Sequence, residues 1–275
     1  MHSDIKKLFS LENRVAIITG GAGFLGMQYA DTLSKAGAHV VLFDIKDEHT
    51  IQGLAKKITD AHGVEALGIR VDITDADAVE KAVTEVKDKF GTVDILINNA
   101  AMNPAVGDKH ADKLFAPYEQ YPIELWRKEV EVNLTGAQIC TQAAAPIMMK
   151  QRNGVIINKG SEIAVATYDH RAYGEGSGKF KSAAYITTKT SLLGLTRSWA
   201  SYLAPYGVRV NMFCPVGMQT PAHDKEFVKR YASLNMFGRM AQPGEYNGTM
   251  LFLCSDASSF MTGANLIVDG GKTAW

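Results

Sequence analysis

The sequence predicts an α/β protein: a doubly wound parallel β-sheet of Rossmann type, flanked by helices on both faces, in a single domain over residues 1–275. Two observations carry this prediction. Short, continuously apolar runs recur along the chain, such as RVAIIT (Arg14–Thr19), HVVLF (His39–Phe43) and GVIIN (Gly154–Asn158). Strands of that composition are buried on both faces, as in a parallel sheet covered by helices. Between them lie stretches with apolar residues at helical spacing, joined by short connections. That alternation winds into parallel strands with right-handed crossovers.

The elements are read in order. After the Arg14–Thr19 strand, Phe24–Ala36 carries Leu25, Tyr29, Leu33 and Ala36 at helical spacing, and Gly37 ends it. His39–Phe43 is the second strand, Glu48–His62 a helix, Val64–Val71 a strand, and Asp75–Phe90 a helix that Gly91 stops. Val93–Ile97 is the fourth strand. Ile123–Lys150 reads as one long helical stretch and Gly154–Asn158 as the fifth strand. Ser182–Ala204 is a helix halted by Pro205 and Gly207. Val208–Phe213, Gly244–Ser255 and Leu266–Val268 complete the chain as strand, helix and strand. Met102–Pro122 and Glu162–Lys181 read as loops of unusual length, a feature commoner at functional sites than in plain connections.

Lys and Arg total 29 against 29 Asp and Glu, so the formal net charge is zero. No basic surplus favours nucleic acid or an anionic membrane. Cys140, Cys214 and Cys254 lie far apart with no C-x-x-C pair, which suits small buried hydrophobes better than a disulfide framework or a zinc site. The seven histidines form no metal-binding cluster, so no metal is expected. The polar N-terminus and the lack of a membrane-length apolar run point to a soluble, cytoplasmic protein.

Two constellations carry chemistry. TGGAGFLG (Thr19–Gly26) follows the first strand and opens the first helix. Such a turn brings backbone N–H groups and a helix N-terminus close to a dinucleotide pyrophosphate. Asp44, 24 residues beyond Gly20, ends the second strand, where a carboxylate accepts hydrogen bonds from ribose hydroxyls and repels a 2′-phosphate. That favours NAD over NADP, with Lys46 nearby to soften the preference. The other constellation is Tyr185 and Lys189, four apart in AAYITTKTSLLGL and so on one helix face. An ammonium group beside a phenol favours the phenolate, which suits proton exchange with a substrate hydroxyl.

From Arg14 to Gly271 the chain resembles the short-chain dehydrogenase/reductase family. The resemblance rests on TGGAGFLG, Asp72-Ile73, NNAA (Asn98–Ala101), VNLTG (Val132–Gly136), Gly160-Ser161, YITTK (Tyr185–Lys189), RVNMFCPVG (Arg209–Gly217) and FMTGANLIVDGG (Phe260–Gly271), all in the family's order. It implies a catalytic set of Asn133, Ser161, Tyr185 and Lys189. Tyr185 would be the acid/base and Ser161 would hold the substrate oxygen. Lys189 would bind the nicotinamide ribose, and Asn133 would support a proton-relaying water. For the cofactor it implies Gly20, Gly23, Phe24 and Leu25 at the turn and Asp44 at the adenosine ribose. Asp72 and Ile73 would frame the adenine, Asn99 and Ala100 the ribose wall. Pro215, Val216, Met218 and Thr220 would meet the nicotinamide side, together with Tyr185 and Lys189.

The departures are also informative. The family's T-G-x-x-x-G-x-G turn here has its middle glycine one place early, at Gly23, with Phe24 following. The usual Pro-Gly after the sixth strand reads Pro215-Val216-Gly217. Ser161 and Tyr185 stand 24 residues apart, about twice the family's usual spacing. The extra segment brings Glu162, Tyr168, Asp169, His170, Arg171, Tyr173, Lys179 and Lys181 beside the reacting groups. It reads either as a polar lip over a hydroxyl-rich or anionic substrate, or as a solvated excursion or oligomer contact. Asn103, Glu162, His170, Arg171 and Lys179 are the substrate-binding candidates, with Arg171, Lys179 and Lys181 as the local basic cluster. A lid is expected over 218–240, where Met218, Met236 and Met240 either line a pocket or pack internally. Together these imply an NAD-dependent dehydrogenase of a secondary alcohol on a sugar, sugar acid or polyol. A 3-oxoacyl thioester, steroid or terpene ketone reductase, or a non-catalytic NAD sensor, are the alternatives. The resemblance also implies a homotetramer or homodimer packed through the helices around Ile123–Lys150 and Ser182–Ala204.

Overall fold

The computed structural model describes residues 2–103 and 111–275. Its strands are β1 (Val15–Thr19), β2 (His39–Asp44), β3 (Ala66–Arg70), β4 (Ile95–Asn98), β5 (Gly154–Lys159), β6 (Val208–Pro215) and β7 (Asn265–Val268). They form one parallel sheet in the order β3-β2-β1-β4-β5-β6-β7. The register sets apolar residues side by side: Ile17 pairs with Val41 and Leu96, Leu96 with Ile156, and Ile156 with Val210.

Alternate residues of each strand feed two separate cores. Ala16, Ile18, Val40 and Leu42 face α2 (Phe24–Lys35), α3 (Glu48–His62) and α10 (Asn247–Cys254) through Leu33, Ile51 and Leu253. Val15, Ile17, Val41 and Phe43 face the other layer, α4 (Ala76–Phe90), α7 (Gly136–Gln151) and α8 (Ala183–Leu203), through Val83, Cys140, Met148 and Leu203. A strand buried on both sides has no polar face, which is why these runs lack the alternation of a half-exposed sheet. Truncating Ile17 to Ala in such a layer would cost about 2–5 kcal/mol. The three cysteines are free and buried.

Helix starts follow local chemistry. The Asp47 carboxylate accepts from the Thr50 N–H at 2.9 Å, Asp75 from Ala78 at 3.0 Å, and Ser182 from Tyr185 at 3.3 Å. Each satisfies an N–H that the first helical turn would otherwise leave unpaired.

Several boundaries differ from the sequence reading. Val64–Val71 narrows to Ala66–Arg70. The expected long helix over Ile123–Lys150 is divided: α6 (Ile123–Val130) and α7 are joined by a π-helical turn over Glu131–Thr135. The two expected loops carry structure of their own. The first contains α5 (Ala111–Leu114) and a 3₁₀ turn over Tyr118–Gln120, its residues 104–110 lying outside the described residues. The second contains 3₁₀ turns over Glu162–Ala164 and His170–Tyr173. Two helices escaped the reading, α1 (Ser3–Phe9) and, within the expected lid, α9 (Lys225–Ala232).

The strand order reverses between β1 and β4. In doubly wound sheets ligands bind at such a reversal, at the C-terminal edge of the sheet.

Candidate active site

A cavity of about 1030 Å³ opens at the C-terminal edge of the sheet and runs from the Gly20 turn to Tyr185. That is the upper end of the size range for small-molecule and cofactor sites, roughly 300–1,000 Å³.

The turn after β1 is closed tightly on itself. Gly20 has φ +59°, and a Cβ there would sit 2.9 Å from the Ala100 Cα. A Cβ on Gly26 would meet the Gly20 carbonyl oxygen at 2.3 Å and the Gly21 Cα at 2.8 Å. Asn99 locks the turn from β4, its amide donating to the Thr19 and Gly20 carbonyls at 2.9 and 3.2 Å. Gly20, Gly23, Phe24 and Leu25 line this end of the cavity. The shifted glycine therefore leaves a compact turn, with Phe24 half-exposed at its mouth. Such a backbone cradle fits a pyrophosphate.

Asp44, at the end of β2, is fixed by the Ala22 N–H at 3.0 Å and the Lys46 N–H at 3.2 Å, while Lys46 Nζ donates to the Ala22 carbonyl at 2.6 Å. One carboxylate and one ammonium thus stand together at the cavity wall. Asp72, Ile73, Asn99 and Ala100 line the same end, although Asp72 Oδ1 already accepts from the Thr74 N–H and hydroxyl at 3.0 and 2.8 Å. Pro215, Val216, Met218 and Thr220 form the wall after β6. There Tyr231 of α9 donates to Glu162 and accepts the Gly217 N–H at 3.0 Å.

The implied catalytic residues do not all touch the cavity. Tyr185 and Ser161 line it, whereas Asn133 and Lys189 lie behind its wall. Asn133 projects from the π-helical turn, where its side-chain oxygen accepts the Met102 N–H at 2.7 Å and its amide donates to the Met102 carbonyl at 3.1 Å. The wider turn aims this amide across the gap, a common use of π-bulges. Lys189 Nζ donates to the Lys159 carbonyl at 2.8 Å. Beneath them a buried polar chain joins β4, β5 and α8: Asn98 donates to Asn158 at 2.9 Å, and Asn158 to Thr196 at 3.0 Å.

The electrostatics differ from the expectation. Burial, and after it the carboxylates of Glu162 and Glu129, hold the Tyr185 phenol above its usual range rather than below it. Burial also holds Lys189 well below its usual value, with the Lys159 ammonium adding to the effect. The cation nearer the phenol ring is Lys181, with Nζ 4.1 Å from the ring centroid against 5.7 Å for Lys189.

The substrate candidates separate. Glu162 and Asn103 line the cavity. Ser161 donates to Glu162, whose other oxygen takes Lys272 at 2.9 Å and Tyr231 at 3.2 Å. The remaining three do not line the cavity. Arg171 is spent on Asp169 at 2.6 Å and points to solvent. Lys179 is exposed in the turn before α8 and does not line the cavity. His170 packs between Tyr118, Tyr168 and Phe180, where its ring accepts the Lys181 N–H at 3.1 Å, so it holds the backbone of the insertion rather than facing the cavity.

The insertion is packed down. Tyr173 stacks on Phe227 of α9, and Arg230 donates to the Ala172 carbonyl at 3.1 Å. In the lid region Met218 and Met240 reach the cavity, while Met236 is exposed. Of the basic cluster read from the sequence only Lys181 lines the cavity, and sequence reasoning missed the importance of Lys159, Tyr231 and Lys272. Lys159 had a signal, as a charge ending an otherwise apolar strand; Lys272 had none.

Among the described residues no group of histidine, cysteine and carboxylate side chains could hold a metal ion, and no helix is long and apolar enough to cross a membrane.

Comparison with known proteins agrees with this geometry. A family model described as enoyl-(acyl carrier protein) reductase matches residues 21–273. The chain is 35% identical over 266 residues to trans-4-hydroxycyclohexanecarboxylate dehydrogenase of Sinomonas cyclohexanicum, covering 95% of this chain and 93% of that one. It is 32% identical over 271 residues to an NAD-dependent glycerol dehydrogenase of Listeria innocua, covering 97% and 96%. Among solved structures, gluconate 5-dehydrogenase from Burkholderia cenocepacia, in complex with NADP and tartrate, superposes with a TM-score of 0.86 at 29% identity, covering 98% and 99%. The chain is an oxidoreductase of the short-chain dehydrogenase/reductase family.

Proposed function

We propose that the protein is an NAD-dependent dehydrogenase that interconverts a secondary alcohol and a ketone or lactone on a sugar, sugar acid or polyol. The observation that carries this reading is the meeting of Tyr185 and Ser161 in one cavity with the glycine turn. In this reading Tyr185 exchanges a proton with the substrate oxygen at its phenol, and Ser161 positions that oxygen. Lys189 and Asn133 act from behind the wall, Asn133 by holding Met102 in place. Gly20, Gly23, Phe24 and Leu25 would cradle the cofactor pyrophosphate. The cofactor, when bound, supplies the hydride acceptor and, in its oxidised form, a positive charge that favours the phenolate. The buried, protonated phenol of the free protein is the acid form that ketone reduction needs. Oxidation needs that positive charge and the neighbouring ammonium groups to offset Glu162 and Glu129.

Asp44 supports NAD over NADP, because its fixed carboxylate would repel a 2′-phosphate. Although much of the cavity wall is apolar, the polar groups at its catalytic end, Glu162, Asn103 and Lys181, support a polar substrate over a steroid, a terpene or an acyl chain. The relatives named for glycerol and hydroxycyclohexanecarboxylate lend the same support. We further propose a homotetramer or homodimer, whose contacts would cover exposed apolar residues such as Phe260 and Trp275; sedimentation would measure it. The test of function is a panel of sugars, sugar acids, polyols and apolar alcohols, each with NAD and with NADP, followed by absorbance of the reduced cofactor. Turnover of polar alcohols with NAD is expected. Turnover of the apolar set alone would overturn the substrate class, and equal use of both cofactors would overturn the role of Asp44.

A further inference from the structure

Resting on that dehydrogenase reading, we propose that the substrate carries a carboxylate, held beside Tyr185 by the ammonium group of Lys181 and the amide of Asn103. The cavity is lined by two lysine side chains, the buried Lys181 and the partly buried Lys159, and neither has an ion-pair partner among the described residues. Lys181 donates only to Asn103, and the Lys159 ammonium has no hydrogen-bond partner among the described residues. Buried charges are ordinarily paired, because an unpaired one bears the full cost of desolvation.

Among the described residues, the two carboxylates nearest to them, Glu162 and Glu129, make their hydrogen bonds to other groups. Glu162 takes Lys272, Tyr231 and Ser161. Glu129 takes Tyr121 and, at 2.8 Å, Ser182 through Oε1, while its buried Oε2 has no partner among the described residues and its charge acts on Lys181 only through space. The cations expected from the insertion, Arg171 and Lys179, stand outside the cavity. Among the described residues the catalytic end therefore holds more ammonium groups, Lys159, Lys181, Lys189 and Lys272, than carboxylates, Glu129 and Glu162, and the cavity is open to receive a further negative group from a bound molecule.

Position narrows the chemistry. Lys181 lies four residues before Tyr185, just ahead of the Ser182 cap of α8, with its ammonium over the phenol ring. One small molecule can present a carboxylate to Lys181 and a secondary hydroxyl to Tyr185 at once. Burial pushes both lysines down to about 8, and an incoming carboxylate beside them would raise them again. The cofactor pyrophosphate is the other source of negative charge, and its cradle lies at the opposite end of the cavity, at Gly20–Gly26.

The test compares matched pairs: gluconate against sorbitol, and a hydroxycyclohexane carboxylate against its hydroxymethyl analogue. Turnover is measured with NAD, and binding to the protein–NADH complex by titration calorimetry, for wild type, Lys181→Met and Lys181→Arg. A carboxylate preference of about 10- to 100-fold is expected, the value of a hydrogen bond to a charged group. Lys181→Met should bring the ratio towards one, Lys181→Arg should retain it, and the dissociation constant for NAD should not change. Preference for the neutral member of every pair, or an undiminished carboxylate preference in Lys181→Met, would overturn the proposal. So would a loss of NAD affinity matching the loss for the carboxylate, which would assign Lys181 to the pyrophosphate. Carboxylate binding that depends on Lys181, without turnover of any alcohol, would keep this site and overturn the dehydrogenase reading. Turnover of neutral alcohols alone would do the reverse, and neither binding nor turnover would overturn both.

Discussion

Replacing Lys181 by Met should make the free protein more stable, by an amount that depends on pH. The ammonium is buried, and burial lowers it from 10.5 to about 8. The facing groups are Glu129 of α6 and Glu162 after β5, which raise it, Lys159 at the end of β5, which lowers it, and the neutral Asn103 and Tyr185. Because the folded value lies below the unfolded one, the unfolded chain holds more protons between pH 8 and 10.5, and wild-type stability rises across that window. Below pH 8 the penalty is complete; above 10.5 both states are neutral and it vanishes. The gap between the two values, at 1.36 kcal/mol per pH unit, makes the full penalty about 3 kcal/mol. Met keeps most of the aliphatic bulk and loses the bond to the exposed Asn103 and the contact of the ammonium with the Tyr185 ring. Urea unfolding without cofactor at about pH 7, 8.5 and 10 should therefore show Lys181→Met more stable than wild type at the lowest pH, with the difference closing at the highest. A difference that stays constant with pH, or a less stable variant at neutral pH, would refute the reasoning. A binding-site cation that costs the empty protein stability is the expected form of a stability–function trade-off.

Two further outcomes follow from the geometry. Gly26→Ala places a Cβ against backbone on three sides and should cost about 1–3 kcal/mol by overpacking, together with much of the cofactor affinity; wild-type unfolding and NAD titration curves would contradict the tight turn. Lys272→Met strands the buried Glu162 carboxylate and should cost about 3–5 kcal/mol, part of which Glu162→Gln in the same chain restores. Purely additive unfolding energies for the pair would contradict the coupling.

Much of this architecture was legible because the sheet is buried on both faces. Runs such as VAIIT and GVIIN admit few other readings, and their alternation with amphipathic stretches gives the winding. The glycine turn, Asp44 and Tyr185 were legible for a related reason: each sits at a fixed offset from a strand or helix end. The break at Glu131–Thr135 was not legible, since a π-helical turn keeps the helical pattern of apolar residues while widening one turn. The insertion was misread in detail. Its polar composition suggested a polar lip or a solvated excursion, yet Tyr168 is buried, Tyr173 is partly buried against α9, and the pairing of Arg171 with Asp169 removes that cation from the site. The contact of Lys272 with Glu162 joins residues 110 apart in sequence, and no local pattern announces it.

The most direct test of the whole account is Tyr185→Phe, assayed for NAD binding and for oxidation of whichever polar alcohol the wild type uses best. The phenol lines the cavity and is placed to exchange the substrate proton, so its loss should reduce turnover by about 10²–10⁴-fold, the usual contribution of general acid–base catalysis, with NAD affinity nearly unchanged. Turnover within a few-fold of wild type, with cofactor still bound, would contradict the assignment of Tyr185 as the acid/base.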